Sequence, residues 1–190
     1  MEEVLKRRMD EVMKRVEEAC ARASASITSA PTVLVTTTSV TSSGFRPARA
    51  GAKHIGENHV QAAQKKREVT TDAKNLVWHM IGHLQRNKAK KAVELFDWIH
   101  SLDSVRIVKE VGKRAAAAGK KMRVFVEVKT SEEATKHGCA EDEVEGVVEA
   151  VLGEEWLEFV GLMTMAPYFE DAERARPYFV KLRELGARVE

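Results

Sequence analysis

Four histidines, His54, His59, His79 and His83, lie in the first half of the chain. Imidazole is the side chain best suited to moving protons or binding metals near neutral pH. His79 and His83 are four residues apart, but they straddle a strand end and Gly82. They therefore lack the helical i, i+4 arrangement that holds zinc in helical zincins; a metal site from these four is possible on residue type, but the spacing does not support one and no metal is expected. His79 reads equally well as a core histidine with its ring nitrogens satisfied. Asn58, just past a strand end, offers two donors and an acceptor. Gly56 and Gly82 sit where backbone must turn sharply or approach a ligand. Lys129 ends a strand, with Glu127 two residues back on the same face. A lysine in that position is a candidate Schiff-base amine; the alternative is a solvated strand-end lysine. Glu57 and His137 read as residues that bond loop backbone.

The elements that must position these groups alternate between strand and helix. Residues 2–23 form an amphipathic helix, with Leu5, Met9, Val12, Val16, Ala19 and Cys20 at spacings of three and four. Acids at its start and Arg22 at its end suit the helix dipole. Residues 24–31 are a loop, small, polar and broken by Pro31. The β-branched run TVLVTTT at 32–38 is a buried strand. Strands then follow near 53–56, 77–81, 98–101, 123–129 and 159–163. Helices fall over 60–67, 85–95, a stretch ending at Ala118, 141–152 and 170–185. Asp103 or Ser104 can cap the third of these, and Gly119 ends it; Gly186 closes the last. Trp78, Met80, Ile81, Leu162 and Met163 read as barrel or interface core. Strands separated by helices pair in parallel through right-handed crossovers. Six such units suit an open doubly wound sheet or part of a barrel, and periodicity alone does not separate the two. No GxGxxG or Walker loop follows the first strand, which disfavours a nucleotide fold.

Composition narrows the classes. The 190 residues imply a single domain over 1–190 with a sizeable core. Hydrophobic residues make up 44% and charged residues 32%, which fits a folded soluble protein and not disorder. With 31 basic and 29 acidic residues, the net charge of +2 gives no reason to expect nucleic acid or an anionic membrane as partner. The basic run at 86–91 reads as a solvated helix face. No apolar stretch is long enough to span a bilayer, and the charged N-terminus is unlike a signal peptide. Cys20 and Cys139 are far apart and make no zinc pattern, so both are expected as reduced thiols in a cytoplasmic protein. A monomer or weak homo-oligomer is expected.

Five strings in order carry a resemblance. They are HIGENHVQ at 54–61, WHMIGHLQRNK at 78–88, SLDS at 101–104, TKHG at 135–138 and FVGLMTMAPY at 159–168. Together they resemble the pyridoxal-phosphate homeostasis family. The resemblance implies a (β/α)8 TIM-barrel-type fold like the N-terminal domain of alanine racemase. It places these strings at the C-terminal ends of barrel strands, where barrel active sites are built. It implies pyridoxal 5'-phosphate as the small-molecule cofactor, a non-catalytic role, and Thr37, Asn58, His83 and Met163 as residues facing the cofactor.

Two departures qualify that implication. The family keeps its cofactor-anchoring lysine at the end of the first strand. Counting back from Gly51, that position falls on Thr37, and a hydroxyl cannot form an imine with an aldehyde. The stretch TSSGFRPAR at 41–49 also reads poorly as the helix expected there. Further, the family's seventh and eighth strands carry the loops that hold the phosphate, whereas this sequence reads as truncated after six β/α units. Two alternatives stay open beside a carrier with covalent binding lost. One is a barrel repurposed by nature or by engineering, with amine catalysis through Lys129. The other is a cofactor-free interaction protein. Racemase or decarboxylase chemistry is disfavoured, because no second domain supplies an opposing acid–base group, and the sequence leans away from an enzyme.

Overall fold

The computed structural model describes residues 2–22, 34–35, 51–70, 76–133 and 136–189. Thr37, the loop at 24–31 and the segment at 41–49 lie outside the described residues.

The leading helix α1 runs over Glu2–Arg22. Met9, Met13, Val16 and Cys20 are half-buried, at spacings of four, three and four, and so form one stripe. The expected Val12 is instead exposed. Six parallel strands follow: β1 (Leu34–Val35), β2 (His54–Glu57), β3 (Val77–Met80), β4 (Trp98–Leu102), β5 (Met122–Glu127) and β6 (Leu157–Met163). Helices α2 (Val60–Val69), α3 (Ala89–Leu95), α4 (Val105–Ala118) and α5 (Val144–Leu152) connect them, and α6 (Arg176–Gly186) follows β6. The strands hydrogen-bond in strict sequence order, β1 to β6. A doubly wound sheet reverses its order at a switch point. Sequential parallel order is the arc of a (β/α) barrel, as expected.

Side-chain alternation sorts the sheet into two faces. Ile55, Trp78, Met80, Ile99, Val124 and Val126 pack with helix residues such as Ala63, Val93, Val108, Val111 and Val147 into one buried cluster. Each buried aliphatic side chain there contributes roughly 1.5–3 kcal/mol. The opposite, concave face carries His54, His79, Trp98, His100 and Phe125, whose rings touch in sequence. A bulge at Val160 lets Phe125 pair with Gly161, whose φ of 153° marks the irregularity.

Four helix expectations need correction. Ser104 occupies the N-cap of α4 but its side chain makes no capping bond; its hydroxyl donates to Asp103 Oδ1 at 3.3 Å instead. Helix α5 starts at Val144, not at 141, because Glu143 turns back to accept the Ala140 N–H at 3.0 Å. The first turn of the helix expected over 85–95 is a 3-10 turn, Arg86–Lys88. Helix α6 begins only at Arg176. The residues before it form a 3-10 turn, Ala172–Ala175, capped by the Asp171 carboxylate. The C-terminal stop of α4 is as expected. Gly119 adopts φ 59° and donates to the carbonyls of Ala115 and Ala116.

Candidate functional site

The strand-end groups converge because neighbouring strand ends are pulled close by backbone. Ile81 N–H donates to Glu57 C=O at 3.0 Å, so the chain leaving β3 continues alongside the end of β2. A Cβ on Gly82 would sit 2.5 Å from the Asn58 carbonyl oxygen, so only glycine permits that approach. Asn58 is thereby fixed just past β2, exposed, and His83 just past β3, also exposed.

His83 Nδ1 lies 3.2 Å from Asp103 Oδ2, at the end of β4. Its ring stacks on His137, with centroids 4.1 Å apart and planes 13° apart. His137 stands two residues before Cys139, which bridges Val128, just past β5, in parallel. Lys129 N–H donates to Cys139 C=O at 3.0 Å, and Cys139 N–H donates to Glu127 C=O at 2.9 Å. That bridge leaves β5 regular only to Glu127, whereas the sequence pattern carried the strand to Lys129. The sequence reading placed His83 at a strand end but took Asp103 as a helix cap and His137 as a backbone-bonding residue. The structure joins all three. Residue type was a signal; position was not, because the three are brought together only by strand order.

Glu127 stands two residues beyond Phe125 and is 5% exposed. Burial, and then the nearby Asp103 charge, push its carboxyl up to about 7. Its Oε2 has no hydrogen-bond partner among the described residues. Lys129 is half-buried two residues beyond β5. Met163 is half-buried too, and its carbonyl accepts the Val128 N–H at 2.8 Å. Thr164 Oγ1 donates to the Val128 carbonyl at 2.8 Å, which leaves Thr130 Oγ1 to donate to Thr164 at 2.9 Å. Thr37 lies outside the described residues. The sequence reading did not single out this threonine pair.

On the concave face three imidazoles form a row. His54 Nδ1 is 2.9 Å from His79 Nε2, and His79 Nδ1 is 2.8 Å from His100 Nε2. His79 is 1% exposed with both ring nitrogens bonded, so it is the satisfied core histidine. A neutral imidazole donates once and accepts once. The row is therefore self-consistent in either of two directions, with all protons pointing the same way. Burial, followed by the neighbouring His100 and His54, lowers His79 to about 3; burial lowers His100 to about 4.

These shifts carry a sign. Both folded-state values lie below the unfolded value near 6.5, so the fold favours neutral rings. The stabilisation is complete above about pH 6.5 and is lost as pH falls toward the folded values. Unfolding by denaturant at pH 7, 6 and 5 is expected to show a loss of order 1–2 kcal/mol per ring by pH 5. A His100→Gln variant should show a shallower decline. An equal decline in variant and parent would remove His100 from the account.

The sequence also reads Glu57 as a residue that bonds loop backbone. It is instead a buried ion pair with Lys66 of α2, on the helix-covered face.

Comparisons with known proteins agree with this architecture. Residues 43–190 match the family model described as alanine racemase, N-terminal domain. The chain is 37% identical over 179 residues to a pyridoxal phosphate homeostasis protein of Aquifex aeolicus, covering 94% of this chain and 78% of that one. It is 36% identical to the protein of the same name from Pseudomonas aeruginosa, covering 72% of this chain but only 59% of that one, under two thirds of its length. Among solved structures it resembles PipY of Synechococcus elongatus. The form without PLP gives a TM-score of 0.75 at 30% identity, covering 91% of this chain and 80% of that one. The form with PLP bound gives 0.72 at 29% identity over the same shares. Sequential parallel strands, strand-end strings in register and these likenesses place the chain in the pyridoxal phosphate homeostasis protein family, on the alanine racemase N-terminal fold.

Proposed function

We propose that this chain is a non-catalytic, pyridoxal-phosphate-handling scaffold in which covalent attachment of the cofactor is lost. The observation that carries the reading is the threonine at residue 37, where the family's pattern calls for lysine. The cofactor supplies an electrophilic aldehyde, and covalent anchorage needs an amine. A ring-binding role suits Asn58, His83 and Met163, which stand at the ends of β2, β3 and β6. The covalent anchor does not fit Thr37. Lys129 supports an alternative reading, a repurposed site, since it offers a half-buried amine two residues beyond β5.

The near balance of 31 basic and 29 acidic residues supports partners that are small molecules and not nucleic acid. Cys20 and Cys139 are both free, which supports a reducing, cytoplasmic setting. No helix among the described residues is long and apolar enough to cross a membrane. A monomer or weak homo-oligomer goes with this reading.

Absorbance of the purified chain mixed with pyridoxal phosphate, followed by borohydride reduction and peptide mass mapping, tests the proposal. No stable adduct and weak binding are expected. A stable adduct that maps anywhere but Lys129 sinks this account of the site. An adduct on Lys129 replaces it with the repurposed-barrel reading. A Thr37→Lys variant is expected to gain the adduct only where the phosphate is also held.

A further inference from the structure

We propose that His83, Asp103 and His137 form a binding site for a divalent transition-metal cation, zinc foremost, at the strand-end mouth. One ligand atom from each of the three lies within 4.8 Å of the other two. They come from just past the ends of β3 and β4 and from the segment before Cys139, which pairs in parallel beside the end of β5. Two imidazoles and a carboxylate are ligands that zinc and its first-row neighbours accept.

The geometry is already partly that of a coordination shell. Bonds of about 2.0–2.1 Å at tetrahedral angles put neighbouring ligand atoms roughly 3.3 Å apart. His83 Nδ1 and Asp103 Oδ2 stand 3.2 Å apart. The His137 ring must tilt out of its stack on His83, because parallel rings cannot aim in-plane lone pairs at one ion. His137 is exposed and can turn about its own side-chain torsions. The backbone on which the two histidines stand is held firmly. Gly82, next to His83, abuts Asn58 backbone, and Gly138, next to His137, abuts Lys129 and Val128 backbone.

A second observation points to a cation. Glu127, whose carbonyl accepts the N–H of Cys139 two residues beyond His137, is 5% exposed, and its Oε2 lacks a hydrogen-bond partner among the described residues. An acceptor left without a donor beside the segment that carries His137 is a place where positive charge is favourable. A bound cation supplies it. Three protein ligands also leave a fourth position for water or an anionic oxygen of a ligand, the pattern of an open site. The alternative occupant of this arrangement is nothing at all: a surface His–Asp pair with one ring stacked on it.

Calorimetric titration of the chelator-stripped chain with zinc, and visible absorbance with cobalt, distinguishes the two. Pyridoxal phosphate is left out, so the outcome is independent of the cofactor reading. One equivalent is expected to bind, with a cobalt spectrum typical of nitrogen and carboxylate ligands. His83→Ala, Asp103→Asn and His137→Ala should each weaken binding at least about 10-fold, the loss that removal of even a supporting residue brings. His59→Ala, also exposed and outside the cluster, should leave it unchanged. Absence of saturable binding by the parent chain overturns the proposal. So does binding that survives all three cluster substitutions.

Discussion

Replacing Lys66 by methionine is expected to cost the fold about 3–5 kcal/mol, the usual penalty for removing one partner of a buried ion pair. The Lys66 and Glu57 side chains are each 3% exposed and pair directly between α2 and the end of β2. Methionine and lysine have similar length and helix propensity, so the change isolates the charge. Removing the ammonium takes a buried charge partner away from the Glu57 carboxylate, and that loss costs free energy. The double variant, Glu57→Leu with Lys66→Met, should recover most of that loss, since well-packed apolar replacements of buried pairs are near neutral or better. Guanidinium unfolding of the parent, the two single variants and the double gives the coupling energy. A Lys66→Met cost under 1 kcal/mol would show that the pair is solvated and the docking of α2 does not depend on it.

That ion pair also marks a boundary of what the sequence discloses. Local signals locate β5 but not its end: MRVFVE is the strand, the pattern runs on to Lys129, and alternation alone sorts Val124 and Val126 from Phe125. They were sufficient for α4, whose stripe of Ile107, Val108, Val111 and Ala115 ends at a glycine in the left-handed region. The barrel-type order followed from the family strings, not from periodicity, which fits an open sheet equally well. Glu57 was misread because its partner sits on the next helix, and only the docking of α2 on β2 brings them together. Ser104 does hold the N-cap position of α4, but its oxygen accepts no N–H of the first turn. Asn58, His83 and Met163 stand at or just past strand ends as the sequence places them, whereas Lys129 lies two residues beyond the end of β5. Asp103 and His137 acquire meaning only once β3, β4 and the segment before Cys139 are laid side by side. No local pattern encodes that adjacency.

The segment before Cys139 supplies the other large effect. A Gly138→Ala substitution is expected to destabilise by about 3 kcal/mol or more, against about 1 kcal/mol for Gly119→Ala. Both glycines have positive φ, 118° and 59°. They differ in what a side chain would meet. At Gly119 a Cβ meets nothing within 4 Å, so the left-handed penalty is the whole cost. At Gly138 it would stand 2.6 Å from the Lys129 nitrogen and 2.7 Å from the Val128 carbonyl carbon, both backbone atoms of the sheet. Neither can move without breaking the Lys129–Cys139 and Cys139–Glu127 hydrogen bonds that pin the loop. Alanine at 138 therefore either strains the end of β5 or releases the loop. Release carries His137 away from His83, so the ring-current shift of the His83 protons should vanish in nuclear magnetic resonance spectra. Strain without release would keep that shift and show its whole cost in the denaturation midpoint. Equal costs for the two glycine variants would mean that the loop yields freely, and that its position against β5 is not what holds the two histidines together.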